Sequence, residues 1–183
     1  MWTRLNSTEV EVVACTMQEA GAGLRAALSS GPETRTVRLL LNPSGGDLGQ
    51  WLCAARDAIP ETRGVMAQAF LARIFRLAGY DVVVGTRYDI FAKNRSRSLF
   101  AEVKSSLNGP KFGSQNEIEQ LERYLAASER KRAEIWLAIM GLGKPMQLRL
   151  SFRSEMRTRN IGLIDARWVA PEETLPHYFA SVR

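Results

Sequence analysis

Apolar positions along the chain fall into short strand-like runs and helical stripes. Val10 to Ala14 reads as a strand, and Met17 to Leu28 as a helix ending at Ser29-Ser30-Gly31-Pro32. Thr36 to Leu41 reads as a second strand. After the turn Asn42-Pro43-Ser44-Gly45-Gly46, Asp47 is placed to cap a helix over Leu48 to Ala58. This strand, glycine turn and helix lack the lysine and the serine or threonine of a phosphate-binding P-loop, so a plain turn is the better reading. Pro60 is expected to break the chain. A helix over Thr62 to Ala78 then shows one face of Met66, Phe70, Arg73, Ile74 and Leu77 and another of Gln68, Leu71 and Phe75, so it should pack on two sides. Gly79 stops it.

Three strands are predicted next: Tyr80 to Gly85, Tyr88 to Ala92 and Leu99 to Lys104. The last two are joined by the polar turn Lys93-Asn94-Arg95-Ser96-Arg97-Ser98. Ser114-Gln115-Asn116-Glu117 has the form of a capping box and starts a helix that runs to Arg130, with Ile118, Leu121 and Leu125 as its core stripe. Gln120 and Tyr124 share a different face of it. Ala133 to Met140 reads as a buried strand, Met146 to Phe152 as a strand pairing back, and Ile161 to Asp165 as a last short one. A long helix joining two strands, with strands on either side, predicts an α/β fold: a mixed central sheet flanked by helices. No internal repeat or low-complexity segment interrupts it.

Composition narrows the class. The 183 residues suit a single domain spanning 1–183, with 45% hydrophobic and 24% charged residues as in ordinary globular proteins. The formal net charge of +6 favours a polyanionic partner, DNA first, with a generally arginine-rich proteome as the bland alternative. Cys15 and Cys53 lack metal spacing and read as buried free thiols, which fits a reducing cytoplasm. The N-terminus, with Arg4, Glu9 and Glu11, is unlike a signal peptide. The run Ile135 to Gly143 is too short to span a bilayer, so no membrane partner is expected. With His177 the single histidine, zinc triads and Ser-His-Asp mechanisms are poorly supported. Trp51, Trp136 and Trp168 read as core.

The chemistry concentrates on the strand ending at Lys104. Leu99, Phe100, Ala101 and Val103 mark it as buried, yet Glu102 and Lys104 sit among them on one face. Asp89 arrives from the neighbouring strand, thirteen residues earlier, a separation that suits a hairpin. Two carboxylates against an apolar sheet are costly unless a cation compensates, and hard oxygen ligands suit Mg2+ or Mn2+ rather than zinc. The Val103 carbonyl is a candidate further ligand. Lys104 beside such an ion can hold an attacking water and offset charge developing on a phosphate. The alternative is an i, i+2 ion pair on a surface strand; the apolar neighbours favour catalysis.

Taken together these stretches resemble the PD-(D/E)XK nuclease superfamily, with its restriction-endonuclease-like core. The resemblance runs from Gly64 to Met140. Tyr88-Asp89 stands at the first acidic motif, without its proline, and Glu102-Val103-Lys104 is the E-x-K. Ala78-Gly79-Tyr80-Asp81-Val82 is similar to the helix-to-strand junction of Mrr-like and resolvase-like members. Gln120-Leu121-Glu122-Arg123-Tyr124 is similar to the Q-x-x-x-Y motif of the RecB-like branch, which implies that Gln120 and Tyr124 lie near the active site and the DNA. The family often carries a glutamate on its first core helix; here that face offers Gln68, which can orient water but supplies no charge.

The expectation is therefore a metal-dependent deoxyribonuclease, endonuclease rather than exonuclease. Its catalytic residues would be Asp89, Glu102, Lys104, Gln68 and Gln120, its metal ligands Asp89, Glu102 and Val103, and its core residues 62–152. Tyr124, Lys111, Arg95, Arg97 and Arg153 are the candidate nucleic-acid contacts, Arg153 within a cluster with Arg149, Arg157 and Arg159. A charged hairpin tip is the alternative for Arg95 and Arg97. The rival function is a nuclease-fold protein that binds nucleic acid or assembles without cutting; a third is a structural domain with no nucleic-acid role. Residues 1–60 lie outside the resemblance, as an extension that completes the fold, mediates a homodimer or docks a protein partner.

Overall fold

The computed structural model describes residues 2–6, 9–30, 34–43, 46–85, 88–107, 115–142 and 161–168. It opens on a strand that the periodicity did not reveal, β1 (Trp2–Asn6), paired antiparallel with β2 (Glu9–Ala14). In β2 and β3 (Thr36–Leu41) every second residue is buried, so Val10, Val12, Ala14, Val37, Leu39 and Leu41 form one apolar face. The helix between them, α1 (Met17–Ser29), packs Ala20, Leu24 and Leu28 into that core. Thr16 caps it: its hydroxyl accepts from the Glu19 N–H, and the Glu19 carboxylate accepts from the Thr16 N–H.

Helix α2 (Gly46–Asp57) holds Asp47 inside its first turn rather than at the cap, and there it pairs with Arg73 at 3.0 Å. Pro60, expected to break the chain, instead opens α3 (Pro60–Leu77). Proline's fixed φ and missing N–H suit a first helical turn, where that N–H would have no partner. Gly79 ends the segment with φ +89°, a left-handed conformation that favours glycine. The chain then makes an antiparallel meander of β4 (Asp81–Val84), β5 (Ile90–Lys93) and β6 (Ser98–Ser106). Helix α4 (Gln115–Lys131) leads to β7 (Glu134–Gly141). The final described strand, β8 (Gly162–Trp168), is longer than the predicted Ile161 to Asp165. Ser114 of the predicted capping box and the predicted strand Met146 to Phe152 lie outside the described residues.

The eight described strands form one mixed sheet in the order β1-β2-β3-β8-β7-β6-β5-β4. The five central strands, β2, β3, β8, β7 and β6, are mutually parallel; β6, β7 and β8 are buried on both faces, hence their dense apolar runs, whereas β2 and β3 bury one. Residues 2–57 thus supply three strands of the same sheet rather than a separate extension.

Helices α1, α2 and α3 share a core with one face, to which Leu99, Ala101, Val103, Trp136 and Ala138 turn. Helix α4 lies on the other face, over β6 and β7. Alternation sends Phe100, Glu102 and Lys104 to that side. Trp136 is core as expected and packs on Gly162, where an added Cβ would stand 2.5 Å from the indole. Trp51 stacks on Phe70 at 4.5 Å, and Trp168 carries the Arg56 guanidinium 5.3 Å above its ring. The cysteines are free, but Cys15 is half-buried and Cys53 exposed, against the expectation of burial. Amphipathic α2 turns Leu48, Leu52 and Ala55 inward, and Cys53 falls on its outer side. No helix among the described residues is long and apolar enough to cross a membrane.

Candidate active site

Asp89 does not lie on a strand. It occupies a bend before β5, and its carboxylate spans the step from β5 to β6. Oδ2 accepts from the Val103 N–H at 2.8 Å, and Oδ1 accepts from Gln68 Nε2 at 2.9 Å. The ladder between β5 and β6 starts at Ile90 opposite Ala101, so Val103 lies beyond its end and its N–H is available for a side chain. The N–H and C=O of one strand residue point to the same side. The Val103 carbonyl therefore also faces the Asp89 side of β6, the placement expected of the third ligand.

Glu102 is buried, with 1% of its surface exposed. Its Oε2 accepts from Gln120 Nε2 at 3.0 Å, and its Oε1 lies 2.7 Å from Lys104 Nζ. That second contact is an ion pair without hydrogen-bond geometry, so Oε1 is a buried oxygen that accepts no hydrogen bond. Lys104 keeps partial exposure, its side chain at 28%. The site therefore has one fully buried carboxylate, one half-buried carboxylate and a partly exposed ammonium at its mouth.

Helix α4 contributes twice. Gln120 and Tyr124, one turn apart, both turn to Glu102: Gln120 Nε2 also approaches the Tyr124 hydroxyl at 3.4 Å, and that hydroxyl donates to the Glu102 carboxylate. Burial, then Glu102, raises the Tyr124 pKa, which keeps the phenol protonated and donating. Tyr124 is 2% exposed, and its ring meets Tyr88, which in turn lies on Phe100. The expectation of a direct nucleic-acid contact at Tyr124 is corrected: packing between α4 and β6 buries it, and it holds Glu102 instead.

The two carboxylates lie near enough for each charge to act on the other. Burial first, and then the Glu102 charge, push Asp89 up to about 6; the Val103 N–H and Lys104 oppose that rise. Donors from three elements hold the pair: the Gln68 amide on α3, the Val103 N–H on β6 and the Gln120 amide on α4. Among the described residues no group of three or more His, Cys, Asp or Glu side chains lies together. An ion here would rest on Asp89 and Glu102, with the Val103 carbonyl and waters completing its shell. Two hard carboxylates and a carbonyl are a donor set that fits Mg2+ or Mn2+, with Lys104 already beside Glu102 Oε1.

Gln68, on α3, is where the first-helix acid would stand. A carboxylate can only accept, so the amide nitrogen must face Asp89 and the amide oxygen is turned away from it. The predicted basic contacts divide. Arg95 is exposed at the hairpin tip, one strand half-length from Glu102. Arg97 is corrected: its Nε and Nη2 bond both oxygens of Glu134, at 2.8 and 2.6 Å, and Nη1 donates to the Leu28 carbonyl. That commitment ties the hairpin to β7 and α1 and removes Arg97 from the surface; the alternating polar turn gave no sign of a partner 37 residues away. Lys111, Arg153, Arg149, Arg157 and Arg159 lie outside the described residues.

No protein-family model, curated protein or solved structure matches this chain.

Proposed function

We propose that the chain is a metal-dependent nuclease that hydrolyses phosphodiester bonds in DNA at Asp89, Glu102 and Lys104. The observation that carries this reading is the convergence of those three side chains with the Val103 carbonyl side beside the β5–β6 hairpin, where the buried Glu102 carboxylate has one ammonium, Lys104, for two nearby acids. A divalent ion between the two carboxylates would balance the charge that one ammonium leaves. Further support comes from the order α3-β4-β5-β6-α4-β7, which is the order implied by the resemblance to the restriction-endonuclease-like core.

In this reading Asp89, Glu102 and the Val103 carbonyl hold one Mg2+ or Mn2+. Bound there, the ion would acidify water and stabilise the charge of the phosphoryl transition state. Lys104 Nζ, at the mouth, donates to the attacking water and offsets charge on the phosphate oxygen. Gln68 keeps Asp89 aimed through its amide nitrogen and leaves its oxygen to orient water. Gln120 and Tyr124 fix the Glu102 carboxylate, which reduces the reorganisation needed when substrate binds.

Glu102→Ala and Lys104→Ala should each reduce Mg2+- or Mn2+-dependent cleavage of plasmid and single-stranded DNA by about a hundredfold or more. Full activity in both variants overturns the assignment. A second reading has its own observation: Gln68 supplies an amide donor where a third carboxylate would strengthen ion binding. The chain would then bind nucleic acid without cutting it. Calorimetry separates the two, since absence of Mg2+ and Mn2+ binding together with DNA binding in chelator selects the second.

A further inference from the structure

Helix α4 packs on β6 and β7, and among the described residues no helix lies over the same face of β5 and β4. Cross-strand register says what that face presents. Val83 on β4 pairs with Phe91 on β5, and Phe91 with Phe100 on β6, so the three share a side with Glu102. Val83 is 63% exposed and Phe91 half-buried, while Phe100 is fully buried and backs the Phe91 ring at 4.9 Å. Lys131, at the end of α4, stands 5.2 Å over the Phe91 ring. One row further out Lys93 pairs with Asp81, both exposed. Two lysines thus frame an aromatic and aliphatic strip against one acid. The row through Phe91 lies two residues along β6 from Glu102, a distance of roughly 7 Å at the rise of a strand.

An exposed apolar strip is ordinarily a liability on an outer pair of strands. Here it is continuous with the carboxylate site and bordered by cations, the combination that binds unpaired bases: rings to stack on and ammonium groups for the backbone. Bases inside a duplex are stacked on one another and cannot lie on a flat sheet face. We propose that this face of β4 and β5, centred on Phe91, is a stacking platform for the unpaired bases of a single-stranded nucleic acid next to the bond that is cut. The proposal rests on the nuclease reading and specifies its substrate class.

The test is binding in chelator, where nothing is cut, of fluorescent single-stranded and blunt duplex oligonucleotides of equal length, in DNA and RNA forms. The wild-type protein should prefer single strands. Phe91→Leu, which keeps apolar volume without a ring face, should weaken single-strand binding about five- to a hundredfold and change duplex binding little. Phe91→Tyr should retain it. Lys131→Gln should lower the single-strand salt slope by about 0.7. The sugar preference of the wild type then separates DNA from RNA as the source of the bases. Unchanged single-strand affinity in Phe91→Leu, or a duplex preference in the wild type, overturns the platform. Those results leave Mg2+ binding at Asp89 and Glu102 intact, whereas loss of the nuclease reading appears as a wild-type protein that binds neither Mg2+ nor Mn2+, whatever its affinity for nucleic acid.

Discussion

The facing carboxylates make a quantitative demand on stability. Asp89 ionises near pH 6 in the folded protein against 3.8 for an unperturbed carboxyl. Each unit corresponds to about 1.4 kcal/mol, so a two-unit rise sets a ceiling of about 3 kcal/mol. Asp89 keeps partial contact with solvent, and roughly half of that, ~1.5 kcal/mol, is the expected effect. The sign follows from proton counting. Between pH 4 and 6 the folded chain holds a proton that the unfolded chain has released, so stability falls as pH rises through this window. Below pH 4 the penalty is absent, and above pH 6 it is complete.

Asp89→Asn removes the titrating group, while carboxylates away from the site, including Glu134, whose pKa Arg97 lowers, titrate alike in both proteins. Urea unfolding in chelator from pH 4 to 7.5 should therefore give a difference, wild type minus variant, that declines by ~1.5 kcal/mol across the window. Mg2+ at a hundred times its dissociation constant should add about 2.7 kcal/mol to the wild type at pH 7.5 and much less to the variant. A flat difference curve, or one that rises with pH, would refute the idea of two buried carboxylates in mutual contact.

Gln68→Glu replaces the donor to Asp89 Oδ1 with a third acid; in chelator it should cost about 1–3 kcal/mol by urea unfolding, while tightening Mn2+ binding in calorimetry. Arg97→Ala strands Glu134 with only the Trp136 N–H at 3.0 Å and should cost about 2–4 kcal/mol, yet leave the salt slope of DNA binding unchanged. A slope smaller by one unit would instead place Arg97 on phosphate. Gly162→Ala drives a methyl into the Trp136 indole and should lower stability by about 1–3 kcal/mol in the same unfolding assay.

Several elements were legible because their causes are local. β3 follows the predicted Thr36 to Leu41, and α4 begins at the predicted Gln115. Pro60 does mark the break between α2 and α3, but as the first residue of α3, since one residue type serves both as a helix breaker and as a helix opener and the choice depends on which turn it enters. The candidate residues Asp89, Glu102 and Lys104 could be picked out since charge inside an apolar strand run is anomalous without any knowledge of neighbours.

Contacts between distant segments were a different matter. Nothing local indicates that β8 inserts between β3 and β7, or that residues 2–57 complete the sheet. The roles of Arg97 and Tyr124 changed for the same reason: Glu134 is 37 residues from Arg97, and the packing of α4 on β6 is what buries Tyr124. Periodicities and the residues capable of the chemistry can be read from the chain alone, because each depends on a window of a few positions. The tertiary structure decided which donors claim each carboxylate oxygen, which arginine is spent on the scaffold and which aromatic face is left open. Those outcomes depend on strand order and register, which are energies of the whole sheet rather than of any stretch of chain.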